Sequence, residues 1–282
     1  MALKLMYITN RPDVARIAEK NGVDRVFVDM EYIGKAERQG RIDTVKNHHT
    51  IDDVRKVRAS IKKAKLLVRV NPIHEASEEY CSSREEIEAV IEAGADIVML
   101  PYFKTIEEIQ EFLDIVDGRT KINLLLETKE AAELLDEIMK LGGFDEIHIG
   151  LNDLSISRNK KFLFESLTDG TVERLCRKME SQGIFYGFGG IASLGRGLVP
   201  AEMIIKEHYR LGSKMVILSR SFCNIMKVED LDAVEEIFYR GVKEIRALEK
   251  ECQSYRDYFE KNRLQLGEAV KQAVRLLEEP KS

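Results

Sequence analysis

Eight short apolar runs, seven of them joined in series by helical patterns, constrain this chain more than any other feature. In order they are LKLMYIT, RVFVDMEY, KLLVRVNP, DIVMLPYF, INLLLET, EIHIGLNDLS, IFYGFGGI and KMVILSRSF. Strands buried on both faces read as continuous apolar runs of this kind. The segments between them carry helix signals. Gly22 and Gly94 stand where C-terminal glycines end helices, and Thr105 precedes one as a cap. Ser83 with Glu86 reads as a capping box, and Pro200 lies near the first turn of the seventh helix. Eight βα units of this size predict an α/β chain folded as a (β/α)₈ TIM barrel over residues 1–227. An open doubly wound sheet usually has fewer strands, and its G-x-G-x-x-G is missing from the first turn. One connection is unusual: the polar stretch from Ile33 to Thr50 is too long for an ordinary βα loop.

Beyond Val228 the pattern changes. Val234, Ile237, Phe238, Val242, Ile245, Leu248, Cys252, Tyr255 and Phe259 recur every three or four residues, as on one long amphipathic helix. LGEAVKQAVRLLEE reads as another. Residues 228–282 are therefore set apart as C-terminal helices. They either pack on their own barrel or on a second subunit, and a homo-oligomer is the expectation. No run of ~18 apolar residues spans a membrane, and no secretory signal is evident. Four scattered cysteines read as reduced thiols of a cytoplasmic protein and not as a zinc site. A net charge of −5 argues against nonspecific binding of nucleic acid.

In a parallel barrel, ligands bind where the strands end. The residues there are Asn10 and Arg11; Asp29, Glu31 and Tyr32; Arg69 and Asn71; Pro101; Glu127; Asn152 and Asp153; Gly187, Gly189 and Gly190; and Ser219, Arg220 and Ser221. Glu127 and Asp153 follow neighbouring strands, so together they can hold one hard divalent cation while water or substrate completes its shell. The plainer alternative is two solvated or helix-capping acids. Three arginines on the same rim suit an anionic substrate, because the guanidinium fork matches two oxygens. The glycine-rich segment and the SRS that follows strand eight have two readings. They form an ordinary turn, or a phosphate cradle of backbone N–H groups.

With these residues in view the chain resembles the metal-dependent (class II) 2-keto acid aldolases grouped with the citrate lyase β subunit. The resemblance runs from about Leu5 to Phe222. It is carried by VDMEY, LLVRVN, GADIVMLP, LLLETKEA and HIGLNDLS, five strings in the family's order. It implies a lyase in which Glu127 and Asp153 hold Mg²⁺ (or Mn²⁺ or Co²⁺), and in which a 2-keto acid such as pyruvate chelates the ion. Arg69 would add positive charge at the enolate oxygen. The glycine-rich segment and the SRSF after strand eight are not part of the family's pattern; on the phosphate reading of those residues the acceptor is a polar or phosphorylated aldehyde, with Asn71, Asn152, Gly189, Gly190, Ser219 and Arg220 as the expected substrate-binding residues.

Two departures stand out. The family's histidine after Asp-x-Glu is Tyr32 here, and the glutamine two residues before the metal glutamate is Leu125. In the family that histidine works with the aspartate, here Asp29, in proton transfer. Tyrosine is a poor base at neutral pH. His48, His49 and His74 lie in the long loops and are candidates to replace it, with His49 and His74 preferred. His148, inside strand six, reads as packed or hydrogen-bonded, and His208, on the seventh helix, as distant from the rim. Two other functions fit the same barrel: a phosphoenolpyruvate-using or other enolate-forming enzyme, and a catalytically silent ligand-binding barrel.

Overall fold

The computed structural model describes residues 1–35, 49–228, 230–255 and 257–279. Its strands are β1 (Lys4–Ile8), β2 (Arg25–Asp29), β3 (Lys65–Arg69), β4 (Ile97–Leu100), β5 (Lys121–Leu126), β6 (Glu146–Ile149), β7 (Phe185–Ile191) and β8 (Met215–Leu218). They close in sequence order into one barrel, each parallel to its neighbours, with β8 pairing back onto β1. The (β/α)₈ barrel expected from the apolar runs is what the chain forms.

Parallel strands need crossovers, and helices supply them. They are α1 (Pro12–Lys20), α2 (Ile51–Ser60), α3 (Ser83–Glu92), α4 (Ile106–Val116), α5 (Lys129–Glu133) and α6 (Leu135–Leu141). After β6 come α7 (Leu151–Ser157), α8 (Glu165–Thr168) and α9 (Thr171–Ser181), and after β7 comes α10 (Ala201–Arg210). Caps set their starts. Thr105 caps α4 with Glu108 as its box partner. For α3 the box is one residue earlier than the sequence indicates. Ser82 and Glu85 form it, and Ser83 and Glu86 turn inward and are buried. Both registers satisfy the S-x-x-E pattern; the apolar face of the helix selects between them.

Inward-facing residues alternate along each strand, so the barrel interior is layered. At the bottom, Arg25 on β2 reaches across to Glu146 on β6 through two hydrogen bonds of 2.5 and 2.9 Å. Asn123 adds a third to Glu146 at 2.7 Å. An apolar layer follows, built from Phe27, Leu67, Met99, Leu125 and Met215. Above it the register places Asp29 level with Arg69, so this pair reaches the rim together.

The glycine-rich strand has a structural cause. Between Gly187 and Gly190, β7 takes three steps where β8 takes two, from Met215 to Ile217. One residue is extra, as in a β-bulge. At Gly187 a Cβ would lie 2.1 Å from the carbonyl oxygen of Met215, and Gly189 has φ +52°. Glycine is required at both positions for backbone packing and conformation.

After the barrel come α11 (Leu231–Ser254) and α12 (Phe259–Glu278). The two helices expected here form, but the first ends sooner than its periodicity indicates, because Tyr255 is extended, and Phe259 opens the second. Both pack on the barrel of their own chain. Phe238 meets Tyr7 edge-on at 4.8 Å and Phe222 at 5.5 Å. Arg246 bonds the carbonyl of Leu3 and the carboxylate of Asp24, and Asn262 bonds Glu207 on α10. All four cysteines are free. Among the described residues no helix is long and apolar enough to cross a membrane.

Candidate active site

A cavity of about 700 Å³ opens at the C-terminal end of the barrel. Of the rim residues anticipated from the sequence, Asn10, Arg11, Asp29, Arg69, Glu127, Asn152, Asp153, Gly189, Gly190, Ser219, Arg220 and Ser221 line it, as does His49. Glu31, Tyr32, Asn71 and His74 are not among the lining residues.

Each of those four has another task. Asn71 accepts hydrogen bonds from the backbone N–H groups of Tyr32 and Ile33, both at 3.0 Å, and donates to Glu86 at 2.9 Å. It pins the exit of β2 to α3, in place of the substrate contact expected of it. The Tyr32 ring packs on Tyr80, with centroids 5.1 Å apart. His74 is tied within its own loop, its ring nitrogens 2.7 Å from the Pro72 carbonyl and 2.8 Å from that of Cys81. Glu31 is buried and meets Arg69 at 3.1 Å. His48 lies outside the described residues.

Asp29 and Arg69 form the electrostatic centre. The guanidinium grips the carboxylate through bonds of 2.8 and 2.7 Å, and Lys35 adds a third at 2.9 Å. Burial alone would raise the Asp29 pKa, but the two cations overcome it and hold the carboxyl well below its ordinary range. An acid so firmly ionised is a weak base at neutral pH.

His49 sits against Asp29, whose backbone N–H donates to Nδ1 at 3.0 Å. The neutral ring therefore carries its proton on Nε2. Burial lowers its pKa below the usual histidine value, against the opposing pull of Asp29 and Asp53 and with a smaller push from Lys35 and Arg69. The ring is a neutral donor.

Glu127 follows β5 and is buried. The backbone N–H of Tyr102 donates to it at 3.1 Å, and Tyr102 holds a left-handed φ of +51°. Such conformations cost energy and cluster at ligand sites. Asp153 lies in the first turn of α7, and Asn152 donates to it at 3.0 Å. The N-cap of α7 is Gly150 with no side-chain cap, so Asp153 does not cap the helix. Gly150 also links the two acid motifs: a Cβ there would stand 2.6 Å from Oε2 of Glu127. Only glycine leaves room for that carboxylate. Among the described residues no group of three or more His, Cys, Asp or Glu is arranged to hold a metal. Two buried hard-oxygen donors in one cavity still suit a divalent cation whose other positions go to water and substrate.

Sequence reasoning missed three features. Lys35 was lost in the long polar stretch. His148 lines the cavity although it is fully buried; Nε2 lies 3.1 Å from the Gly189 carbonyl, and Nδ1 has no partner among the described residues. The bulge in β7 presents that carbonyl, which a reading of separate strands cannot foresee. The third is an apolar wall formed by Phe162, Phe164, Leu198, Val199, Ile225 and Met226, scattered over three loops.

Burial pushes the His148 pKa down to about 3, and that of His208, stacked on Phe188 at 3.9 Å, well below normal. Between these values and the unfolded value near 6.5, the unfolded chain binds more protons than the folded one. Stability is therefore full above about pH 6.5 and falls as the pH drops, by up to about 1.4 kcal/mol per pH unit for each such ring. Urea unfolding between pH 6.5 and 4.5 is expected to show a shallower pH slope in His148→Leu than in the parent. Equal slopes would mean that His148 is not held neutral.

The sequence model of the HpcH/HpaI aldolase/citrate lyase family matches residues 4–161. Among solved structures, an HpcH/HpaI aldolase from Desulfitobacterium hafniense DCB-2 is 18% identical, with a TM-score of 0.59, covering 87% of this chain and 93% of that one. An HpcH/HpaI aldolase/citrate lyase family protein from Burkholderia cenocepacia J2315 is 13% identical, with a TM-score of 0.61, over 83% and 95% of the two chains. Macrophomate synthase is 14% identical, with a TM-score of 0.53, over 77% of each. At these identities the structures speak to the shared barrel. No curated protein matches in sequence. The matched span covers more than half of the chain and contains both acid-bearing segments, so this chain belongs to the HpcH/HpaI aldolase/citrate lyase family.

Proposed function

We propose that this protein is a divalent-metal-dependent carbon–carbon lyase that makes or breaks a bond next to a 2-keto acid. The observation that carries the reading is the arrival of Glu127 and Asp153, from β5 and the β6–α7 junction, in one cavity beside Arg69. Glu127 and Asp153 would hold the cation, with Mg²⁺ the first choice for an all-oxygen set. Bound there, it supplies Lewis-acid stabilisation of developing negative charge.

The protein's own groups do the rest. Asp29 and Glu31 aim Arg69 and leave it donors for a substrate carboxylate or enolate oxygen. His49 offers its Nε2–H to a second oxygen. His148, fully buried in the cavity lining, donates its Nε2–H to the Gly189 carbonyl at 3.1 Å. Asn152, exposed at the mouth, orients Asp153. Self-association belongs to the same proposal, because Tyr239, Leu264, Leu276 and Leu277 stay exposed on the outer faces of α11 and α12.

The test is exchange of the methyl protons of pyruvate in D₂O, followed by NMR. Exchange is expected with Mg²⁺ and is expected to stop on adding EDTA. If no divalent cation supports exchange, the protein does not form a pyruvate enolate and the reading falls.

A further inference from the structure

The cavity is two-sided. Asp29, Lys35, Arg69, Glu127 and Asp153 bring charge to one side, and Arg11, paired with Asp13 at 2.6 Å, adds a cation after β1. From residue 162 onward, Arg220 is the only charged lining residue among those described, and it is exposed at the rim. The remainder of that side is largely apolar. Phe162 and Phe164 meet edge-to-face at 5.4 Å and are buried. Val199 and Ile204 are buried behind them, while Leu198 and Met226 remain 54% and 69% exposed at the mouth. A cavity of about 700 Å³ is in the range that encloses ligands much larger than a three-carbon acid.

Few groups on this side favour a phosphate: Arg220 is the one charged lining residue there among those described, and it is exposed at the rim. Gly187 and Gly189 serve the bulge in β7. The carbonyl of Gly189 faces His148, and the Ser219 hydroxyl accepts from the Ser221 backbone at 3.2 Å. A doubly charged group would face Phe162, Val199 and Ile225 and lose hydration without regaining it.

We infer that the second substrate is an aldehyde bearing an apolar alkyl or aryl group, which lies against Phe162, Phe164, Leu198 and Val199 while its carbonyl faces the charged side. This replaces the polar or phosphorylated acceptor expected from the sequence, and it rests on the lyase reading above. In the forming direction the enolate carbon of the keto acid attacks the carbonyl carbon. The enolate's C=C pair becomes the new C–C bond as its keto C=O re-forms, the aldehyde's π pair moves to its oxygen, and that oxygen takes one proton, the equivalent of the one the keto acid's methyl group gave up on forming the enolate. Cleavage is the reverse, with the bonding pair returning to the enolate.

Each methylene moved from water to such a wall contributes about fourfold in affinity. With the full chain, Mg²⁺ and pyruvate, kcat/KM is expected to rise about fourfold per methylene from acetaldehyde to hexanal. Glyceraldehyde 3-phosphate should fall below both. Calorimetric affinity for linear 2-keto acids, from pyruvate to 2-ketooctanoate, should climb in parallel and needs no turnover. In Leu198→Ser, exposed and therefore no threat to folding, the ratio of hexanal to acetaldehyde should shrink severalfold. A flat series, or a preference for the phosphorylated aldehyde, overturns the inference while pyruvate exchange keeps the lyase reading intact. If exchange itself is absent, the lyase reading falls separately. The keto-acid affinity series then decides whether the wall takes an apolar chain.

Discussion

Glu127→Gln is expected to lower metal-dependent exchange of pyruvate protons on the order of a thousandfold, the scale at which one essential electrostatic stabiliser is lost. The amide keeps the size of the carboxylate and can still accept from Tyr102, whose N–H lies 3.1 Å away. It loses the charge that draws a hard cation. The loss should therefore appear as weaker Mg²⁺ binding in a calorimetric titration, with the unfolding midpoint close to that of the parent. Gly150→Ala is expected to act in the same direction through position alone, since the added carbon would meet Glu127 at 2.6 Å. Activity within tenfold of the parent in Glu127→Gln would remove this residue from the cation site.

The largest effect on stability is expected far from that rim. Arg25→Met leaves Glu146 charged and buried, with a hydrogen bond from Asn123 at 2.7 Å in place of the ion pair. Breaking a buried pair by removing one partner typically costs about 3–5 kcal/mol, because the other charge loses water without compensation. Replacing both partners, as in Arg25→Met with Glu146→Leu, is expected to recover most of that loss. The interior around them is already apolar, with Met6 and Met215 against the guanidinium. Urea midpoints of the two single variants and the double variant decide it. A single variant within about 1 kcal/mol of the parent would mean that Glu146 protonates or reaches water.

The contrast between His49 and His74 shows how far loop residues can be read in advance. Both stood in long loops with equal claim. Folding brought His49 against the Asp29 backbone and tied His74 to Pro72 and Cys81. Nothing local separates them, because what differs is where each loop closes. Asn71 teaches the same lesson in reverse. Its position after β3 looked like a ligand contact, but its side-chain amide serves the β2 exit and Glu86.

The order of strands and helices, the closed barrel and the placing of Glu127 and Asp153 at the same end of it were determined by the sequence itself. Parallel strands joined in series send all their C-terminal ends to the same side, whatever the loops do. The tertiary structure alone decided the bulge in β7, the orphaned nitrogen of His148, the pair across the barrel floor and the apolar wall opposite the charges. Each depends on residues far apart in the chain meeting at contact distance, and contact distance is set by packing and register, which periodicity along one segment does not encode.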